Sequence, residues 1–107
     1  MRYQVQARIL ENRMEDFFAR LSDGSVESQK PDGREIVASM RRARLVGPST
    51  IAWCETCYCS TPLAHERETV YDHFLTEIET TLIEEDPPLE GDSFWDHLES
   101  LHSSHSS

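Results

Sequence analysis

The spacing of the apolar residues changes near the start of the chain, and this change constrains the fold more than any other feature. Between Tyr3 and Ile9 every second residue is apolar, which is the pattern of a half-buried β-strand. From Glu11 to Leu21 the apolar residues recur every three or four positions, which predicts an amphipathic helix. A strand that is followed directly by such a helix predicts a domain of mixed α and β structure.

The two patterns alternate as far as residue 83, before Pro87-Pro88 interrupts them. They predict four further elements: a short helix from about Asp32 to Met40, a hairpin over 44–59, a second main helix over 63–76 and a strand over 77–83. Asp32 and Glu35 have the spacing of a capping box at the start of the short helix. Residues 77–83 fit helical spacing as well, but their threonines favour a strand.

The order of these elements, βα(α)ββαβ, predicts an α+β fold of the ferredoxin-like type over residues 1–86. In this βαββαβ plait, a four-stranded antiparallel sheet carries both main helices on one face. The other face is then free to pair with a second chain, which predicts a dimeric α+β barrel. Residues 87–107 are predicted to form an acidic C-terminal tether with a short amphipathic segment.

The acidic residues are concentrated in the C-terminal third of the chain. The formal net charge is −10 over 107 residues, and no lysine or arginine lies beyond Arg67. Such a negative field repels phosphate backbones, so nucleic acid is not expected as a partner. No stretch has the length and apolarity of a membrane span or a signal peptide. We therefore expect a cytoplasmic protein that has no membrane partner.

All three cysteines lie in the run Trp53-Cys54-Glu55-Thr56-Cys57-Tyr58-Cys59. In an extended strand Cys57 and Cys59 point to one side and Cys54 to the other, so the thiols do not converge on a metal ion. Glu55, next to Cys57 on one face, disfavours the thiolate that a nucleophile needs. The cysteines are therefore predicted to be reduced, with no metal and no other cofactor.

Glu55 is a carboxylate on an otherwise apolar strand face, where it must be paired, solvated or protonated. The first strand is expected beside this strand, with Arg8 on the same side as Glu55. Arg8, Trp53, Glu55 and Cys57 then form a candidate ligand-binding pocket on the helix-free face. An alternative is a structural ion pair across a dimer interface, and the residues allow both. Ile51, Trp53 and Cys57 would leave an apolar patch on this face, which predicts a homodimer.

The segment from Ser93 to Leu101 has the pattern of a short amphipathic helix. Ser93 and Asp96 are spaced as a capping box, and apolar residues recur at helical spacing with acids between them. A helix of this length is not stable alone, so it must dock. Its binding surface can be its own domain, the dimer mate or a foreign protein.

Four segments together resemble a family of small bacterial proteins of unassigned activity, the cyanobacterial type. The segments are Met1-Arg2-Tyr3 opening a strand, the run from Met40 to Leu45, Trp53-x-Glu55-x-Cys57-x-Cys59, and Thr61-Pro62-Leu63-x-x-Glu66-Arg67. The resemblance covers roughly residues 1 to 75 and implies a compact α+β domain. More distantly, the chain resembles dimeric α+β barrel proteins such as muconolactone isomerase-like and YCII-like domains, which implies a pocket enclosed by two sheets.

Two functions are consistent with these features. The first is a non-enzymatic, homodimeric binding or accessory protein whose acidic C-terminal region docks a protein partner. The second is a small-molecule enzyme or ligand sensor of the dimeric barrel type, with its pocket around Glu55. A polar cavity lined by Glu55 would favour the second function, whereas a dry, filled sheet interface would favour the first.

Overall fold

The structure is a computed structural model that describes residues 1–30, 32–57 and 60–105. Its strands are β1 (Arg2–Ile9), β2 (Arg44–Gly47), β3 (Thr50–Thr56), β4 (Leu75–Ile83) and β5 (Asp92–Ser93). Its α-helices are α1 (Met14–Ser22), α2 (Gly33–Arg42), α3 (Ala64–Glu66), α4 (Asp72–Phe74) and α5 (Phe94–His105). A 3₁₀ turn, Glu11–Arg13, leads into α1, and a π-helical turn, Arg67–Tyr71, joins α3 to α4.

The strands form one five-stranded antiparallel sheet in the order β4-β1-β3-β2-β5. The predicted mixed α and β class is therefore confirmed, and so is the strand predicted over residues 77–83, which begins two residues earlier. β1 is an interior strand, paired with β4 on one side and with β3 on the other. Among the described residues, no helix is both long enough and apolar enough to cross a bilayer.

The hydrophobic core lies between one face of the sheet and the helices. Along β1 the odd-numbered residues from Tyr3 to Ile9 are buried, whereas Gln6 and Arg8 on the other face are exposed. Val5 is the register partner of Trp53, and Ala7 is the partner of Ile51. Partners in register share a face of the sheet, so the apolar sides of both strands meet under the helices.

The second main helix, predicted over 63–76, is present as a helical segment over 64–74 that contains the π-helical turn. One local prediction is wrong. The capping box at Asp32 does not form: α2 has no side-chain cap, and Asp32 Oδ2 lies 2.6 Å from His65 Nδ1 instead. His65 thus binds the Asp32 carboxylate, which would otherwise accept a backbone N–H at the start of α2.

Residues 84–91, called the strap below, carry the chain from β4 back across the helix-free face of the sheet. Asp86 binds Arg2 on that face, and the chain then forms β5 beside β2 at the opposite edge. The amphipathic helix predicted from Ser93 is confirmed as α5, and Ser93 Oγ accepts the Asp96 N–H at 3.3 Å.

α5 returns to the helical side and packs on its own domain. Phe94 and Leu98 are fully buried, Phe17 and Phe94 have ring centroids 6.2 Å apart, and the Arg41 guanidinium lies 4.2 Å from the Trp95 ring centroid. The apolar face of this helix is therefore buried against its own domain. The acids of its other face, such as Asp96 and Glu99, remain exposed.

Candidate functional site

Glu55 lies on β3, in the layer between the sheet and the helices, with a fully buried side chain. One carboxyl oxygen, Oε1, accepts hydrogen bonds from Trp53 Nε1 at 2.8 Å and from the Tyr71 hydroxyl at 2.7 Å. The other oxygen, Oε2, is also buried and receives no hydrogen bond from a described residue. The core therefore holds a carboxyl group with half of its hydrogen-bonding capacity unused.

A second carboxyl group, that of Glu66, is buried close enough to interact with Glu55. The Cys57 thiol donates a weak hydrogen bond to Glu66 Oε2 at 3.9 Å, and the Leu63 N–H donates to Cys57 Sγ at 3.4 Å. As carboxylates, Glu55 and Glu66 are acceptors only, but a proton on one of them makes that group a donor to the other. The arrangement thus favours a state in which the two groups share a proton.

The irregular helical segment over residues 64–74 places Glu66 and Tyr71 against the sheet. Leu63, just before α3, has a left-handed backbone with a φ of 58° and is fully buried. The π-helical turn that ends at Tyr71 is wider than an α-helical turn, a feature that is frequent at functional sites. Both features cost free energy, and such features persist where the surrounding structure enforces them.

Glu55, Glu66 and Tyr71 form the carboxyl cluster, and the pKa values of its members follow from their burial. Burial raises the pKa of Glu55 to about 7; the hydrogen bonds from Tyr71 and Trp53 oppose this rise, and the charge of Glu66 adds to it. Burial also raises the pKa of Glu66, and the hydrogen bond that a proton shared with Glu55 supplies partly offsets that rise. Burial and the neighbouring Glu55 raise the pKa of Tyr71 well above its ordinary value, so its hydroxyl remains a donor.

The cluster can therefore take up and release a proton near neutral pH. Tyr3 on β1 also faces it, as the register partner of Glu55, and Glu35 on α2 contributes a further negative charge. On the outer side of Glu66, the charge of Asp32 raises its pKa and His65 lowers it. The neighbouring charges that act most on Glu55, those of Glu66 and Glu35, are both negative.

The predicted pairing of Arg8 with Glu55 is wrong. The partner of Glu55 in the register is Tyr3, and Arg8 lies on the opposite face, where its guanidinium meets Glu77 at 3.3 Å. Trp53, Glu55 and Cys57 do come together, but inside the domain and under the helices. The predicted ligand-binding set is thus divided between the two faces, and its role in binding stays a prediction.

The apolar patch that suggested a homodimer is not exposed. Ile51, Trp53 and Cys57 are all buried by helices of the same chain. The prediction of an exposed apolar patch is therefore wrong, while the homodimer itself stays a prediction. Cys54 is buried on the other face of β3 and forms no disulfide with a described residue; Cys59 lies outside the described residues.

The sequence reasoning missed Glu66 and Tyr71. Glu66 stands in the charged run His65-Glu66-Arg67-Glu68 and has the pattern of solvated helix surface, and Tyr71 has the pattern of an apolar core residue. The one signal available was the pair of buried apolar neighbours, Leu63 and Val70, which bracket Glu66 at three and four residues. That spacing puts Glu66 on the buried side of the helical segment.

Within the described ranges, His, Cys, Asp and Glu side chains form no group of three that could hold a metal ion. Comparisons with protein-family models, curated proteins and solved structures find no match for this chain. The function must therefore be argued from the cluster itself.

Proposed function

We propose that this protein is a non-enzymatic sensor domain in which Glu55 and Glu66 respond to protonation near neutral pH. The observation that carries the proposal is the buried Oε2 of Glu55, to which no described N–H or O–H group donates, beside a second buried carboxyl group. Both carboxyl groups are buried in this conformation, so a substrate could not contact them. A proton is therefore the ligand that they can bind.

A purely structural role explains this cluster poorly. A buried carboxyl group without a full set of hydrogen bonds destabilises a core, and two neighbouring ones repel each other once both are ionised. Apolar residues of similar volume would fill the same space at lower cost. A group that is costly to bury and that titrates near pH 7 is a candidate functional residue.

The helical segment over residues 64–74 is the element that would respond. It carries both Glu66 and Tyr71, and it begins at the left-handed Leu63. Loss of the shared proton leaves two negative charges in the core, which drives Glu66 outward and weakens the contact between Tyr71 and the sheet. The strain at Leu63 and in the π-helical turn lowers the cost of that movement.

We also propose that the domain is a ferredoxin-like plait. The first four strands follow the order 4-1-3-2, all antiparallel, and the helices lie on one face, which supports this assignment. The likeness to the cyanobacterial-type family remains a proposal that the Trp53-x-Glu55-x-Cys57 run supports. A partner of the acidic C-terminal region would meet the outer, exposed face of α5, because its apolar face is buried.

The indole N–H of Trp53 provides a direct test, since it donates to the titrating carboxyl group. We expect its ¹H–¹⁵N signal to shift with pH, with a midpoint near 7. The indole of Trp95, which stacks with Arg41 on α5, serves as the internal control. Glu55→Gln should abolish the transition, whereas Glu68→Gln, an exposed site two residues from Glu66, should leave it intact.

Tyr71→Phe keeps the test decisive if Glu55→Gln perturbs the fold. This variant removes a hydrogen bond that lowers the pKa of Glu55, so the midpoint should move to higher pH. Hydrogen exchange of residues 63–74 should accelerate above the midpoint in the wild type by more than the base-catalysed increase that the amides of α1 show over the same pH range. A Trp53 signal that is constant between pH 5 and 9, or a transition that survives in Glu55→Gln, would refute the proposal.

General acid–base catalysis is a second candidate, favoured by the 2.7 Å hydrogen bond between Tyr71 and Glu55. A carboxyl group with a pKa of about 7 is suited to proton transfer near neutral pH. A substrate could reach it only after the helical segment moves. Proton exchange at carbon in a panel of keto and enol compounds, lost in Glu55→Gln, would favour this enzyme over the sensor.

A further inference from the structure

A groove on the helix-free face of the sheet, remote from the carboxyl cluster, collects three arginines. Its volume is ≈ 220 Å³, and its walls include Arg2, Arg42 and Arg44 around the side chain of Cys54. The strap closes it from above with Asp86, Pro87 and Leu89. The chain has a net charge of −10, yet three guanidinium groups lie together in this groove, where negatively charged groups would stabilise them.

The three guanidinium groups differ in how they are satisfied. Arg42 binds Glu35 Oε1 and the Cys54 carbonyl, both at 3.0 Å. That carbonyl is available because β2 begins opposite Ala52 and leaves the β2 side of β3 unpaired beyond that point. Arg44 is exposed and has no ion pair with a described residue. Arg44 is therefore available to an anion.

Arg2 already holds a carboxylate. Its Nε and one terminal nitrogen donate to the two oxygens of Asp86, each at 2.7 Å, and its other terminal nitrogen donates to Thr56 Oγ1 at 3.0 Å. This two-pronged contact is the geometry in which arginine recognises carboxylates. Asp86 comes from the strap, so the strap itself supplies the acid that fills one end of the groove.

We propose that the groove binds a small organic carboxylate, for which Asp86 is a built-in competitor. The carboxylate of the ligand would bind Arg44 and contest Arg2 with Asp86. Its apolar part would lie against Pro87 and Leu89, which are half-buried on the strap. A carboxylate is preferred over other anions because the acid already seated in the groove is one, and an apolar body is preferred because the wall beside it is apolar.

Binding of benzoate, monitored by the ¹H–¹⁵N chemical shifts of the whole chain at constant ionic strength, tests the proposal. The largest shifts should fall on residues 2, 44, 54 and 84–91. Asp86→Asn should tighten benzoate binding about three- to tenfold, because the competing carboxylate is lost. Arg44→Gln should weaken it about tenfold. Acetate, which lacks the apolar ring, should bind more weakly than benzoate.

Two matched variants separate a site from a general effect of charge. Glu85→Gln changes the net charge as Asp86→Asn does, but at an exposed neighbouring residue, and should leave benzoate affinity unchanged. Arg8→Gln removes an exposed arginine of the same face that is paired with Glu77, and should also have no effect. Equal effects of Asp86→Asn and Glu85→Gln, equal effects of Arg44→Gln and Arg8→Gln, or shifts centred elsewhere would overturn the proposal.

Discussion

Trp53 and Tyr71 donate to the same oxygen of Glu55, and this leaves the other oxygen for a proton. Two neutral donors lower the cost of an ionised carboxyl group but do not remove it, since burial remains the larger effect on its pKa. Glu55 is thus held between its two protonation states. A lysine or arginine beside Glu55 in the core would instead have stabilised its ionised form.

The protonation of Glu55 should make the stability of the domain depend on pH. Its pKa in the folded state, about 7, exceeds its ordinary value of 4.5, so folding takes up a proton between these values. The corresponding stability is fully present below about pH 4.5 and is lost as the pH rises to about 7. The loss is on the order of 3 kcal/mol, and Glu66, whose pKa is also raised, acts in the same direction.

Urea unfolding at pH 5 and at pH 8 measures this dependence. We expect Glu55→Gln to remove most of the decrease in the free energy of unfolding, because the amide does not titrate. The exposed Glu68→Gln should retain the full decrease. A wild-type protein that is equally stable at both pH values would show that Glu55 is ionised, or solvated, in the folded state.

At the residue scale, the sequence identified half of the site. Glu55 stands out because it is an acid in an apolar run, but both faces of β3 are apolar, so the pattern did not show which face the helices cover. The strap explains the second apolar face, since it covers Cys54. Glu66 and Tyr71 meet Glu55 through a π-helical turn, which has no residue signature.

At the scale of elements, β5 depends on a close approach of two backbones at Gly91. Gly91 has a φ of 128°, and a Cβ atom there would lie 1.9 Å from the Leu45 carbonyl oxygen. A side chain at this position would therefore force β5 away from β2, both by its conformation and by its contact. The strap would lose its attachment at the same point.

Gly91→Ala should destabilise the protein by about 2–4 kcal/mol and raise hydrogen exchange in the strap and at Phe94, whose N–H binds the Ala43 carbonyl. Gly24→Ala is the matched control, because Gly24 also has a positive φ, of 89°, but no atom lies within 4 Å of its Cβ position. Its cost should be only about 1 kcal/mol. Similar costs for both variants would show that β5 is not held by this approach.

The elements themselves were predictable to different degrees. β1 and α1 were found because their apolar residues keep one period over a whole element. The helix over 63–76 was predicted from apolar residues such as Val70 and Phe74, but their spacing of four does not distinguish a π-helical turn from an α-helical one. Asp32 matched a capping box in spacing, but the cap depends on a competing partner, His65, that lies 33 residues away.

At the scale of the whole molecule, the C-terminal third encircles the sheet. The strap crosses the helix-free face, β5 extends the edge beside β2, and α5 closes over α1 and α2 with Phe94, Trp95 and Leu98 buried. The sequence indicated that the segment after Pro88 must dock but could not choose its surface. Contacts between residues so distant in sequence, such as Phe17 with Phe94, leave no local pattern.

If α5 belongs to the core of its own domain, one substitution in it should destabilise the entire fold. Leu98→Ala should cost about 2–5 kcal/mol and lower the midpoint of a single thermal transition by roughly 10 °C or more. The exposed neighbour Glu99→Ala should change it by less than about 0.5 kcal/mol. An unchanged midpoint in Leu98→Ala would instead point to docking on another protein.

The two edges of the sheet would meet a neighbouring molecule in different ways. On one side the two-residue β5 is too short to template another strand. On the other side β4 runs for nine residues, but a register shift opposite β1 and the left-handed backbone of Glu77 interrupt its hydrogen-bonding pattern. Glu77 and Glu79 add repulsion between like copies. These features of β4 therefore oppose polymerisation of the chain through its exposed edge strand.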